Sequence, residues 1–102
     1  MPTSSADAAH ALRYAHLPIV GGFRPRYDPD AFDDFADRVA AALDAANAGQ
    51  VPDLSAAQVI DELIPRKGWG KGYEAGAGDT LLDVAADALR ATEVRVPHMM
   101  PA

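Results

Sequence analysis

The chain has 102 residues, no cysteine and a formal net charge of −6 at pH 7, which excludes disulfides, thiolate catalysis and thiolate zinc sites. An acidic chain also binds nucleic acid poorly, because cations that neutralise phosphates supply most non-specific affinity. It lacks both a signal-peptide pattern and the ~20 apolar residues of a membrane-spanning helix, so we expect a cytoplasmic protein. Much of its hydrophobic content is alanine, which buries little area, so we expect a partner chain to complete the core.

The sequence predicts a mostly helical fold in which two helix–loop–helix repeats share one small core. The predicted boundaries are a flexible N-terminus (1–7), unit 1 (8–48), unit 2 (49–91) and an extended tail (92–102). A first short helix is predicted around 6–16, ending before Pro18. No pair of strands is predicted.

The strongest local prediction is a long helix in unit 1. Asp28 is a natural N-cap and Pro29 suits the first helical turn. From Phe32 to Ala46 the apolar residues recur at helical spacing, with aspartates on the opposite side. The helix is predicted to end near Asn47, shortly before a glycine.

Unit 2 is predicted to begin with a short helix that has a capping box from Ser55 to Gln58 and ends at Pro65. A glycine-rich loop (68–80) follows, and Asp79 or Thr80 is predicted to cap a second long helix. The loop does not match a phosphate-binding loop, because an aspartate stands where that motif requires a lysine.

The two units align with each other at an offset of 46 residues. Residues 27–45 and 73–91 are identical at eight of nineteen positions. The informative matches are Tyr27 with Tyr73, Asp33 with Asp79, Asp37 with Asp83, and Leu43 with Leu89. Upstream, the same offset pairs Leu17 with Leu63, Gly22 with Gly68, and Phe23 with Trp69. The alignment predicts a duplicated element with a tyrosine at the entrance of each long helix.

Residues 21–43 (GGFRPRYDPDAFDDFADRVAAAL) resemble the N-terminal module of the DivIVA family of bacterial polar and division-site scaffolds. Tyr27-Asp28-Pro29 matches the turn of that module, and Phe32-Asp33-Asp34-Phe35-Ala36 matches its helix opening. A degraded second copy is carried by Tyr73, Glu74, Asp79, Leu81 and Leu82. The resemblance implies a parallel dimer whose crossed loops present an aromatic and a basic residue to the inner membrane leaflet.

Carried over by position, the loop residues are Phe23 and Arg24 in unit 1, and Trp69 and Lys71 in unit 2. Five of the nine basic residues lie in these two loops. The predicted partner- or membrane-binding set is Phe23, Arg24, Arg26, Arg66, Lys67, Trp69 and Lys71. We expect a non-enzymatic adaptor without catalytic residues, cofactor or metal. It would form a homodimer or bind a protein partner, with possible peripheral contact with the inner membrane.

An acidic helix face supports an alternative function. The face consists of Asp30, Asp33, Asp34, Asp37 and Asp44. Part of it spells the DDxxD magnesium signature of prenyl-diphosphate enzymes, but 102 residues cannot build the helical barrel of those enzymes. The face is either solvated or the contact surface of a small acidic inhibitor or immunity-type protein that binds a basic partner.

Overall fold

Most of the chain folds into helices, as the sequence predicts, and a small sheet joins them. The computed structural model describes residues 4–95. In chain order its elements are α1 (Ser5–Tyr14), β1 (Ile19–Val20), β2 (Arg26–Tyr27), α2 (Pro29–Asn47), α3 (Ala56–Asp61), β3 (Gly72–Glu74) and α4 (Ala75–Arg95).

The predicted caps of α2 and α3 are confirmed. The Asp28 carboxylate accepts a hydrogen bond from the amide of Ala31 at 3.0 Å, and Pro29 opens α2. In α3 the Gln58 amide donates to the Ser55 hydroxyl at 3.2 Å, and the Ser55 amide donates to the Gln58 side chain at 2.8 Å. These side chains satisfy amides that the first helical turn leaves without intrahelical partners.

The start of α4 differs from the prediction. The helix begins at Ala75, so the predicted loop (68–80) is helical in its second half and Asp79 is not a cap. Strand β3 leads directly into the helix, and the Ala75 amide donates to the Pro25 carbonyl at 3.0 Å. This contact with the other half of the chain offsets the low helix propensity of Gly76 and Gly78.

The predicted ends of the chain also need correction. Helix α1 begins at Ser5 and is capped by the Ser4 side chain, so 5–7 are helical and not flexible. Helix α4 continues to Arg95, so 92–95 belong to it and not to an extended tail. The rest of that predicted tail (96–102) lies outside the described residues. The α3 helix ends at Asp61, four residues before Pro65.

The sheet was not predicted. Its strand order is β1-β3-β2, and the central strand β3 runs antiparallel to both neighbours. Tyr73 in β3 pairs with Ile19 on one side and with Tyr27 on the other, and Tyr27 also forms a bridge to Arg66. Strands of two or three residues are too short to show an alternating pattern in the sequence.

The core lies between the helices, and its largest fully buried side chains are Phe32, Leu43, Leu89, Val39 and Val59. Buried alanines on both long helices allow their backbones to approach closely. The Arg13–Asp44 ion pair at 2.7 Å joins the end of α1 to α2, and the bond from the Ala56 amide to Glu93 at 2.8 Å places the start of α3 beside the C-terminal end of α4. Both long helices begin at the sheet, which therefore forms the opposite end of the molecule.

Candidate functional site

Two tyrosines bind the entrances of the long helices to each other. The Tyr27 hydroxyl, at the entrance of α2, donates to the Asp79 carboxylate in α4. The Tyr73 hydroxyl, at the entrance of α4, donates to the Asp33 carboxylate in α2 at 3.2 Å. Each half of the chain thus holds the helix of the other half. The matched aspartates of the internal alignment were the only sequence signal for this exchange.

The backbone repeats the same reciprocal pattern. The Asp28 amide donates to the Pro65 carbonyl at 3.0 Å, and the Glu74 amide donates to the Pro18 carbonyl at 2.9 Å. The two prolines are 47 positions apart, so the alignment upstream of the tyrosines shifts by one residue.

The one-residue shift corrects the predicted match of Leu17 with Leu63. Leu17, which packs against the core, corresponds to the buried Ile64 rather than to Leu63, which is 90% exposed. The loop that leads to Tyr73 is therefore one residue shorter than the loop that leads to Tyr27.

One aromatic ring fills the space between the two tyrosines. The Phe32 ring centroid lies 5.6 Å from that of Tyr27 and 5.6 Å from that of Tyr73. Gly78 is the residue of α4 that aligns with Phe32. A β-carbon at Gly78 would lie 2.9 Å from Cε2 of Phe32, closer than packed carbon atoms can approach. Only one of the two aligned positions can therefore carry a large side chain.

Burial and hydrogen bonding keep both tyrosines protonated. Burial is the main cause that raises the pKa of Tyr27 above its ordinary value of 10.0, and the bond to Asp79 adds to it. Burial and the bond to Asp33 raise the pKa of Tyr73 in the same direction. Both hydroxyls therefore act as donors over the neutral pH range.

Two exposed aromatic side chains project from the loops beside the sheet. Phe23 is 107% exposed and Trp69 is 82% exposed. The loops touch, because a β-carbon at Gly21 would lie 3.6 Å from Cγ of Lys71 and 3.8 Å from the carbonyl oxygen of Gly70. The structure thus brings the predicted aromatic residues of both units to adjoining loops.

Carboxylates near the helix starts partly neutralise the basic residues of these loops. Arg24 forms an ion pair with Glu74, and Nζ of Lys67 lies 3.6 Å from a carboxylate oxygen of Asp28.

The remaining basic residues differ in their surroundings. The Arg66 guanidinium lies 5.0 Å from the centroid of the Tyr27 ring, in a cation–π contact. The Lys71 side chain is exposed.

Arg26 has a different role from the one predicted. It is only 7% exposed, and its Nη1 donates to the carbonyl oxygens of Gly22 and Arg24, both at 2.9 Å. Its guanidinium therefore holds the unit 1 loop in shape and is not available to a partner.

The acidic face of α2 is partly used within the chain. Asp33 accepts from Tyr73 and Asp44 pairs with Arg13, whereas Asp30, Asp34 and Asp37 are exposed. Within residues 4–95, no three histidine, aspartate or glutamate side chains are grouped so that they could hold a metal ion.

Comparison of the chain with protein-family models, with curated proteins and with solved structures gives no match. Over residues 4–95, each helix is either too short or too polar to cross a membrane.

Proposed function

We propose that the chain is a non-enzymatic adaptor that docks a protein partner through Phe23 and Trp69. In this proposal the chain contains two copies of a DivIVA-like loop–helix unit, and the second copy takes the place of the second chain that the resemblance implies. The reciprocal bonds of Tyr27 and Tyr73 support the pairing of the two copies. The observation that carries the proposal is the exposure of both aromatic side chains on two touching loops.

The energetics favour docking through these aromatics. Full burial of a large apolar side chain contributes roughly 1.5–3 kcal/mol, and tryptophan is among the residues most often found to dominate binding energy. The buried Arg26 guanidinium fixes the unit 1 loop before a partner arrives, and the tyrosine–aspartate bonds hold the helices that follow the two loops. Little ordering entropy is then lost on binding.

The charges favour a protein partner over an anionic membrane. Attraction to anionic lipid depends on basic residues that are free to approach the surface, each contributing ~1 kcal/mol. Arg24 and Lys67 have carboxylate partners, and Arg26 is buried. Of the five basic residues in the loops, Arg66 and Lys71 are then left to approach lipid, fewer than the roughly four to eight of lipid-binding basic clusters.

Photo-crosslinking tests the docking surface directly. A photoreactive phenylalanine at position 23 should crosslink one partner protein in cells, and Trp69→Ala should abolish the product. The matched control is the same probe at Tyr14, which is 65% exposed and belongs to α1 rather than to the loops. Equal crosslinking from both positions would refute the proposal.

Vesicle flotation separates lipid from protein as the ligand. If phosphatidylglycerol vesicles float the wild type but not Phe23→Ala/Trp69→Ala, the loops dock on lipid and the choice of a protein partner is wrong. The acidic inhibitor is a separate alternative, for which Asp30→Asn/Asp34→Asn should abolish the crosslink at position 23. Under the adaptor proposal that variant leaves the crosslink unchanged.

A further inference from the structure

A groove of about 350 Å³ lies between α3, the segment that follows it, and the first turns of α4. Val59, Ile64 and Leu82 form its base and are only 2–8% exposed, and carboxylates stand along it. These carboxylates belong to Glu62, Asp79 and Asp83. A groove lined by carboxylates beside exposed aliphatic side chains is suited to one side of a basic amphipathic segment.

The charge of the groove is negative. Among the residues that the structure describes, no basic one lines it, and the nearby Arg66 guanidinium contacts the Tyr27 ring at one end. Asp79 is engaged with the Tyr27 hydroxyl. Glu62 and Asp83 are exposed, and their carboxylates can approach a cation from a partner.

The residues of unit 1 that correspond to Ile60 and Glu62 are not acidic. With the register set by the prolines, Ile60 corresponds to Arg13 and Glu62 corresponds to Ala15. Unit 1 therefore carries a basic residue at the first position and lacks the carboxylate at the second. The duplication alone does not account for the acidic groove.

Two aliphatic side chains supply the exposed apolar surface at the groove. Ile60 is 52% exposed and Leu63 is 90% exposed, and both belong to the helix and segment that form one wall. Contiguous exposed apolar surface with a polar rim is typical of an interaction site.

We propose that this groove binds a basic amphipathic segment of a partner protein. Its aliphatic side chains would replace water over Ile60 and Leu63, and its lysines or arginines would pair with Glu62 and Asp83. The groove does not include Phe23 or Trp69, so this binding is independent of the loops and provides the adaptor with a second docking surface.

A titration of the full chain with synthetic peptides tests the groove. The probe is an amphipathic helical peptide of leucine and lysine, and the comparison peptides replace lysine by glutamate or leucine by serine. In ¹⁵N NMR spectra the leucine–lysine peptide should shift amides of 59–64 and 82–83, and the other two should bind at least tenfold more weakly.

The variants carry a matched control. Glu62→Gln/Asp83→Asn should weaken binding about fivefold, as expected for two exposed ion pairs, and Ile60→Ser should weaken it further. Asp34→Asn/Asp37→Asn also removes two negative charges, but from the acidic face of α2, and should leave peptide binding unchanged. Far-UV circular dichroism establishes that each variant is folded.

Three results would overturn the inference. These are equal binding of the leucine–glutamate peptide, shifts centred on 30–37, or equal weakening by the two double variants. Failure here is distinguishable from failure of the loop proposal, because Phe23→Ala/Trp69→Ala should leave the titration unchanged.

Discussion

The packing of Phe32 against Gly78 predicts that alanine at position 78 destabilises the protein, which is the reverse of its usual effect in a helix. Alanine normally stabilises a helix relative to glycine. At Gly78, however, a β-carbon would lie 2.9 Å from Cε2 of Phe32, and 3.2 and 3.3 Å from two atoms of the Tyr27 ring. Both rings are buried and stacked, with Phe32 only 2% exposed, so neither can move aside freely.

The expected magnitude combines two opposing effects. Glycine to alanine in a helix gains about 1 kcal/mol at most, and inserting a methyl group into a packed core costs roughly 1–3 kcal/mol. We expect Gly78→Ala to lower the free energy of unfolding by about 1 kcal/mol. For a domain of this size that corresponds to a fall in Tm of about 4–8 °C.

Gly76 provides a control in the same helix. The nearest atom to a β-carbon at Gly76 is a carboxylate oxygen of Glu74 at 3.8 Å, an ordinary contact. Gly76→Ala should therefore raise the free energy of unfolding by about 0.5 kcal/mol.

The assay is urea unfolding followed by circular dichroism at 222 nm, with Phe32→Leu/Gly78→Ala included to complete a double-mutant cycle. Removing the ring atom that clashes should relieve part of the loss and give a coupling energy of about 0.5 kcal/mol. If Gly78→Ala stabilises the protein as much as Gly76→Ala does, the packing argument is refuted.

Further predictions concern the tyrosines and the association of the two halves. Gly72→Ala should destabilise the protein by about 3 kcal/mol or more in thermal unfolding, because the added β-carbon would overlap the Tyr27 carbonyl oxygen. Gly21→Ala is the control: the nearest atom to a β-carbon there is at 3.6 Å, so stability should change by less than about 0.5 kcal/mol. Tyr27→Phe should cost about 1–2 kcal/mol and Tyr73→Phe about 0.5 kcal/mol, because the second hydroxyl bond is exposed; equal losses would contradict the unequal burial. The folded state binds the Tyr27 proton more tightly than the unfolded chain does, since its pKa lies above 10.0. The contribution of Tyr27 to the free energy of unfolding should therefore be constant up to about pH 9 and fall as the pH rises above 10. Tyr27→Phe should reduce the dependence of the unfolding free energy on pH, measured by urea unfolding between pH 9 and 11. Light scattering should give the mass of one chain at micromolar concentration, and a stable dimer would contradict the proposal that the second half of the chain takes the place of a second chain.

Local signals in the sequence predicted the best-defined helices. The Asp28 cap, the helical spacing from Phe32 onward and the Ser55 capping box are interactions between residues close in the chain, and each is present in the structure. The family resemblance implied that Phe23 and Trp69 lie in loops that present them to a partner, and both side chains are exposed in the structure.

Long-range contacts determined what the sequence could not predict. The β3 strand and the early start of α4 depend on hydrogen bonds to Pro18 and Pro25, which lie in the other half of the chain. The burial of Arg26 depends on carbonyl groups that converge only when the loop closes. The acidic groove in unit 2 likewise requires α3 and α4 to be packed together.

The sequence by itself determined the helical character of this protein and the caps of α2 and α3, because these follow from hydrogen bonds between residues close in the chain. Only the tertiary structure decided that each tyrosine bonds to the aspartate of the opposite unit, and that Phe32 excludes a side chain at position 78. The reason is physical: hydrogen-bond partners and excluded volume are properties of residues that meet in space, and these residues are separated by about half of the chain.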